Sequence, residues 1–382
     1  MRKLLLLLPL LTLGYCKDPV ENDPFDTYDR QAMLQNIGQN VIIPAFRDFS
    51  QKSKSLQIAC ESFAANPSES GLQMAQSSWK EAISAWKHCE FYQFGELDMS
   101  HEKLLWAISS TTPVQNWSHT PHPVYTPAQP AKTTELEQAL NTGSVINDAY
   151  VESVPFYIKG LPAIEYLLFD PARTDAEIVS QFLGAENEKR GQYLAALSEN
   201  VTIKAEGIVN EWESGYLSTF ITQDGRDVGS SLGMFCNAVL FQVEMIKNER
   251  LGRPLGKLDL GNAQPGKVEA PYSKISRQLI LENIAALKTA FTGGSGQGLD
   301  DLLDHLDAKY DNTPLASITI TQFDVLKAAV ESIPDPLETA VMQNPAEVEN
   351  AFNEAKKLVK LLKVDMFNNL GTVITYTDND GD

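Results

Sequence analysis

The sequence predicts an all-α fold, and three features carry that expectation. Apolar residues recur at three- and four-residue spacing along most of the chain. Alternation with period two is confined to Val373–Tyr376. Helix start signals also stand where the apolar stripes begin: Asn344-Pro345 supplies a cap and then a proline at the first helical position. Val348, Phe352, Ala355, Leu358, Val359 and Leu362 follow as one face, with Glu and Lys opposite.

The other helices read in order. Tyr28–Phe49 carries the same stripe, with Pro44 expected to kink or restart it, because proline has no N–H for the helical ladder. Ser68–Phe94 is a long amphipathic run built on Trp79, Ala82, Trp86 and Cys89. Asn187–Tyr216, Ser230–Arg250 and Ile275–Phe291 complete the helical set. Four segments interrupt it. Thr111–Ala131 is a long loop rich in Pro, Thr and His, and Gly252–Pro271 is a Gly/Pro connector that folds over something. Thr292–Gly298 is a glycine turn, and Tyr376–Asp382 is an acidic tail.

An internal echo bears on domain organisation. Arg30-Gln31-Ala32-Met33-Leu34-Gln35-Asn36-Ile37 aligns with Arg277-Gln278-Leu279-Ile280-Leu281-Glu282-Asn283-Ile284. The chain has 382 residues, and a four-helix bundle with loops takes roughly 100 or more. The expectation is two similar four-helix-bundle domains, residues 27–220 and 221–382. Residues 1–26 precede them as leader and tether.

That leader has a physical signature. Arg2 and Lys3 are followed by the apolar Leu4–Leu13, too short to span a bilayer as a helix. Leu13-Gly14-Tyr15-Cys16 then resembles a lipobox, with Tyr15 in place of the usual small residue. Cys16 is the expected lipidation site, followed by an acidic stretch of the kind that some outer-surface lipoproteins carry. Plain secretion with Cys16 discarded is the alternative. The expected location is the cell envelope, on the outer membrane, facing the periplasm or the cell surface.

The net charge of −19 disfavours nucleic acid and anionic membrane surfaces as partners. Cys60, Cys89 and Cys236 remain after Cys16, with no CxxC pair, so each reads as a small buried hydrophobe. The five histidines include no pair at helical i, i+4 spacing, so a His-Glu-x-x-His zinc helix is absent. Gly293-Gly294-Ser295-Gly296 lacks the Lys-Ser/Thr of a phosphate loop.

One residue demands explanation. In Gly160-Leu161-Pro162-Ala163-Ile164-Glu165-Tyr166-Leu167-Leu168-Phe169, Glu165 is a lone acid in an apolar run. A buried carboxyl must be paired, protonated or bound to a cation. Arg253 is one candidate partner. Glu90, at the end of the Trp79–Trp86 face, is the candidate second acid.

Several strings in order resemble the imelysin-like family. Gly160 and Glu165 match its GxHxxE motif. Asn40-Val41-Ile42-Ile43-Pro44, Trp79-Lys80-x-Ala82-x-x-Ala85-Trp86-x-x-x-Glu90 and Phe94-Gly95 match earlier segments. Pro254-Leu255-Gly256, Glu269-Ala270-Pro271-Tyr272-Ser273 and the closing Asp378-Asn379-Asp380-Gly381-Asp382 match later ones. The family's histidine falls at Pro162, which removes a nitrogen ligand. The resemblance implies two helical bundles with a site between them. It further implies a role in iron uptake alongside iron-transport components, although the family was once grouped with metallopeptidases. By that resemblance Glu165 and Glu90 are the expected ligands of iron or another divalent cation, and a non-catalytic binding protein is favoured over a metallopeptidase. A surface interaction protein that has lost its metal site is the remaining alternative.

Overall fold

The computed structural model describes residues 23–92 and 133–375, together with two short paired strands, β1 (Pro113–Val114) and β2 (Val124–Tyr125). The other residues of the Thr111–Ala131 loop, the leader with Cys16, and the acidic tail lie outside the described residues.

Helices dominate what is described. A short α1 (Pro24–Thr27) leads to α2 (Arg30–Asn36), a wide π turn at Ile37–Ile42, and then α3 (Ile43–Ala65). Pro44 follows directly after that π turn, in a helix that runs unbroken from residue 30 to residue 65, and the wide turn accommodates its missing N–H. The widened turn before it shows in the bond from Ile43 N–H to Gly38 O. The sequence expects a kink or restart at Pro44; the helix instead continues through the proline, with the widened turn just ahead of it. The Ser68 hydroxyl then caps α4 (Glu69–Lys87) by accepting from Gly71 N at 3.2 Å.

Short helices follow: α5 (Thr133–Leu140), α6 (Asp148–Ser153), α7 (Gly160–Leu168) and α8 (Asp175–Ser180). A Thr174/Glu177 capping box starts α8. The long α9 (Glu188–Glu211) runs through a π turn, Trp212–Tyr216, into α10 (Leu217–Thr222). Next comes α11 (Ser231–Met245), which continues as a π segment, Ile246–Gly252. After the Gly/Pro connector come α12 (Ser276–Thr292) and α13 (Leu299–His305). The two-residue strands β3 (Lys309–Tyr310) and β4 (Thr313–Pro314) form a small hairpin. Then α14 (Leu315–Glu331), α15 (Leu337–Gln343) and α16 (Pro345–Lys360) follow. A π turn, Leu361–Met366, joins α16 to α17 (Phe367–Leu370) in one continuous rod.

Packing follows the apolar faces. Helix α3 packs on α4 and α9, and α7 closes the set by touching both α4 and α9. Helix α14 packs on α12 and α16, and α11 likewise touches both of those. Helix α4 meets α12. One continuous hydrophobic cluster runs from Phe25 to Leu370 and includes Trp79, Trp86, Trp212, Phe235, Phe291 and Phe323. Cys60, Cys89 and Cys236 are free thiols buried in it, as their apolar contexts predict.

The period-two stretch at Val373–Tyr376 does not become a strand over its described residues. It lies extended beside α11, where Asn237 stands in for a strand neighbour. The Asn237 amide donates to Val373 O at 2.9 Å, and its carbonyl accepts from Thr375 N at 2.9 Å.

Candidate functional site

The strand-like Lys159 and the left-handed Gly160, at φ +76°, turn the chain into α7. Only glycine adopts that backbone without strain. Pro162 falls in the first turn, where its missing N–H is harmless. Neighbouring helices then fix α7 along its length. Trp79 Nε1 on α4 donates to Leu161 O at 2.9 Å, and Gln76 Nε2 donates to Leu168 O at 2.8 Å. From α9, the Tyr193 hydroxyl donates to Ile158 O at 2.7 Å.

This clamping buries Glu165, which is 1% exposed. Its Oε1 accepts from Ser273 N at 2.8 Å and from Ser273 Oγ at 2.7 Å, and the Tyr272 backbone N–H adds a third favourable interaction. Burial penalises the charged form most, and nearby Glu269 adds repulsion. The Ser273 and Tyr272 bonds oppose both, and the carboxyl ends pushed up to about 7. Glu165 is thus an acid held by neutral donors. Arg253 is not its partner, because that guanidinium is engaged by Glu249, one helical turn away.

Glu90 has a different environment. It follows α4 in a turn and is 6% exposed. Its Oε1 accepts from Arg250 Nη2 at 2.5 Å, Gln242 Nε2 at 2.6 Å and Asn283 Nδ2 at 2.9 Å, and its Oε2 accepts from Lys87 Nζ at 2.7 Å. Lys87 also bonds Glu269, and Arg250 Nε reaches Glu269 Oε2 at 3.1 Å. Two cations and two acids therefore balance inside the protein. Burial works against the Glu90 charge, but Arg250 and Lys87 outweigh it and hold the carboxyl well below the usual range.

Glu269 is the link between the two predicted acids. It joins the Glu90 cluster directly, and the same segment, 269–273, delivers Ser273 to Glu165. The C-terminal stretch of the connector after α11 is therefore tied to two helices, to α4 through Lys87 and to α7 through Glu165. Sequence reasoning located Gly160, Pro162, Glu165 and Glu90. It singled out the Glu269–Ser273 string without giving it a role, and it missed Lys87, Arg250, Gln242 and Asn283. The signal for Lys87 and Arg250 was faint: each is a cation at the inner end of an otherwise apolar helical face.

Among the described residues, no group of three or more His, Cys, Asp or Glu side chains converges in a way that could hold a metal ion. Glu165 Oε1 is occupied by Ser273, and both Glu90 oxygens are occupied by protein donors. The described donors therefore do not fit a resident metal centre. His88 pairs with Glu282 at 3.0 Å, beside a cleft of about 430 Å³ lined by Asp48, Lys52, Glu81 and Tyr92. His305 bonds Pro24 O at 3.0 Å. His101, His119 and His122 lie outside the described residues.

Comparison with known proteins agrees with this architecture. Two solved structures share the fold. One is an imelysin-like protein from Psychrobacter arcticum 273-4, with a TM-score of 0.69, 19% identity, and coverage of 91% of this chain and 97% of that one. The other is described as a "putative iron-regulated protein A precursor" from Parabacteroides distasonis ATCC 8503, with a TM-score of 0.71, 19% identity, and coverage of 90% and 95%. No curated protein matches the chain. The family model for imelysin, Peptidase_M75, matches residues 42–364. With that match running through α3, α7 and α16, the chain belongs to the imelysin family.

Proposed function

We propose that this imelysin-family chain is a non-catalytic component of iron acquisition in the cell envelope, held there by lipid on Cys16, and that it acts by contact with partners. The observation that carries this reading is the engagement of both candidate acids by the protein's own donors. Ser273 engages Glu165, while Arg250, Lys87, Gln242 and Asn283 engage Glu90. Acids so engaged fasten helices together. To bind a cation, Glu90 would have to give up two charged partners in a buried setting, which is costly. Zinc hydrolysis needs about three protein ligands and an open position, and the described residues offer no such group. Pro162, where the family motif has histidine, points the same way.

Iron enters through kinship. A structural neighbour is named as iron-regulated and as a precursor. The leader Leu4–Leu13 and Cys16 support export and anchoring of this chain.

Calorimetric titration of the full mature chain with Fe(II) and with Zn(II) tests the reading. The expected result is no tight stoichiometric binding, in the parent or in Pro162→His. Binding in the parent that disappears in Glu165→Gln would replace this reading with that of a metal-binding protein.

A further inference from the structure

A cleft of about 430 Å³ opens where α3, α4 and α12 meet, and neither Glu165 nor Glu90 lines it. Its shape follows from the sequence. Ala45, Asp48 and Lys52 share one face of α3 at spacings of three and four, and Glu81, Ala85 and His88 share one face of α4 in the same way. Alanine stands at 45, 85 and 286, one from each helix, and is too short to fill the space between the three axes. Two side-chain pairs hold the walls. Lys52 Nζ meets Glu81 Oε2 at 2.8 Å between α3 and α4, and His88 Nε2 meets Glu282 Oε2 at 3.0 Å between α4 and α12.

Two polar groups in this cleft do nothing for the fold. Tyr92 is 1% exposed, yet its hydroxyl has no hydrogen-bond partner among the described residues. A buried phenol usually finds one. Phe46, Phe91 and Phe235 surround its ring, with centroids 4.2–6.3 Å away, which leaves the hydroxyl edge to meet the cleft. Burial pushes the phenol up, so the hydroxyl keeps its proton and both donates and accepts. Asp48 is the second such group. It is exposed on the α3 wall, between Phe46 and Lys52 along the helix, and has no hydrogen bond or ion pair among the described residues.

The charges decide the class of ligand. Lys52 and Glu81 cancel, and Glu282 is engaged by His88, so Asp48 is the charge left for a ligand. The chain's net charge of −19 draws cations towards it. A metal ion needs several converging ligands, and no group of three or more His, Cys, Asp or Glu provides them among the described residues. An ammonium needs less, because one carboxylate and neutral oxygens satisfy its three donors. Val41 and the three alanines give the cleft apolar walls, which suit a compact apolar body behind the charge.

We propose that this cleft binds a small primary amine with a compact apolar body, its ammonium paired with Asp48 and its far polar end hydrogen-bonded to the Tyr92 hydroxyl. The site shares no residue with the Glu165 and Glu90 contacts, so it stands or falls apart from the partner-contact reading above.

Calorimetric titration of the full mature chain with tyramine tests it, beside 3-(4-hydroxyphenyl)propionamide, which keeps the ring and hydroxyl and carries no charge. The expected result is one tyramine per chain with a Kd on the order of 0.1 mM, and binding of the amide weaker by about tenfold. Asp48→Asn should weaken tyramine by about 5- to 10-fold and remove its advantage over the amide. Tyr92→Phe should weaken both probes by about 3- to 10-fold, because both carry the hydroxyl. Neither variant should melt below the parent, since neither group has a partner to lose, so a folding defect cannot mimic these losses. Ala45→Phe fills the cleft without changing any charge and should abolish binding of both probes in a chain that still melts cooperatively. Absence of saturable tyramine binding up to about 10 mM, equal binding of the two probes, or an unchanged tyramine affinity in Asp48→Asn would each overturn the proposal. Tyramine binding that survives Ala45→Phe would overturn it as well, by showing only the general attraction of cations to an acidic chain.

Discussion

Ser273 donates both its backbone N–H, at 2.8 Å, and its hydroxyl, at 2.7 Å, to a single carboxylate oxygen of Glu165, 108 residues earlier in the chain. The pair fastens the connector to α7 at a point closed to water. Replacing Ser273 by Ala removes one of the two bonds and leaves a buried acceptor short of a donor. The expected loss at pH 8 is about 1–3 kcal/mol of unfolding free energy, read from urea denaturation. Loss below a few tenths would mean that the hydroxyl bond contributes nothing.

The cluster of Glu90, Lys87, Arg250 and Glu269 is balanced and buried, so its members depend on one another. Arg250→Ala leaves two acids facing one cation and is expected to cost about 3–5 kcal/mol. Because the cluster is shielded from ions in solution, that cost should persist in 0.5 M salt. The same measurement on Lys52→Ala, whose pair with Glu81 is exposed, should give only about 0–1 kcal/mol. Equal costs for the two variants would contradict the burial argument.

Most of the fold was legible because helical periodicity is a local signal. The stripe over Tyr28–Phe49 predicts a helix kinked or restarted at Pro44, and the chain is helical without a break from residue 30 to residue 65, with a π turn just before the proline. Glu165 and Glu90 stood out because acids are conspicuous on apolar faces. Their partners did not. Lys87 and Arg250 look like the surface cations that usually close amphipathic helices, and only long-range packing, of α4 against α12 and of the Ile246–Gly252 segment against α16, buries them. Arg253 is a candidate cation for Glu165 in the sequence, but one helical turn gives it Glu249 first.

Gly160 is expected to resist substitution. At φ +76° an alanine is strained by about 1 kcal/mol or more, and α7 would enter at a different angle. Thermal melting of Gly160→Ala should show that loss, together with weaker protection of the Trp79–Leu161 bond in hydrogen exchange. A melt identical to the parent would argue that the turn relaxes freely.

Burial pushes the thiols of Cys60, Cys89 and Cys236 up, and none is accessible in the folded chain. An aromatic disulfide reagent applied to the mature chain with Cys16 acylated should label no thiol until denaturant is added, and then three. Rapid labelling without denaturant would show that the core opens locally.

The central claim is that Glu165 is a buried acid held by neutral donors, without a cation. Its folded-state value of about 7 lies above the unperturbed 4.5, so the folded chain holds this proton more tightly than the unfolded one. The stabilisation is fully present below about pH 4.5 and is lost as pH rises through about 7, by about 3 kcal/mol in total. Glu90, held low, acts in the opposite sense, and its contribution is lost only at more acidic pH. The most direct measurement is the unfolding free energy of the parent and of Glu165→Gln between pH 5 and pH 8. The account predicts that Glu165→Gln gains on the parent by about 2–3 kcal/mol across that range, because the amide has no proton to lose. A difference that stays flat would show that burial does not shift Glu165, and one that moves in the parent's favour as pH rises would show it ionised against a cation; either would contradict the account.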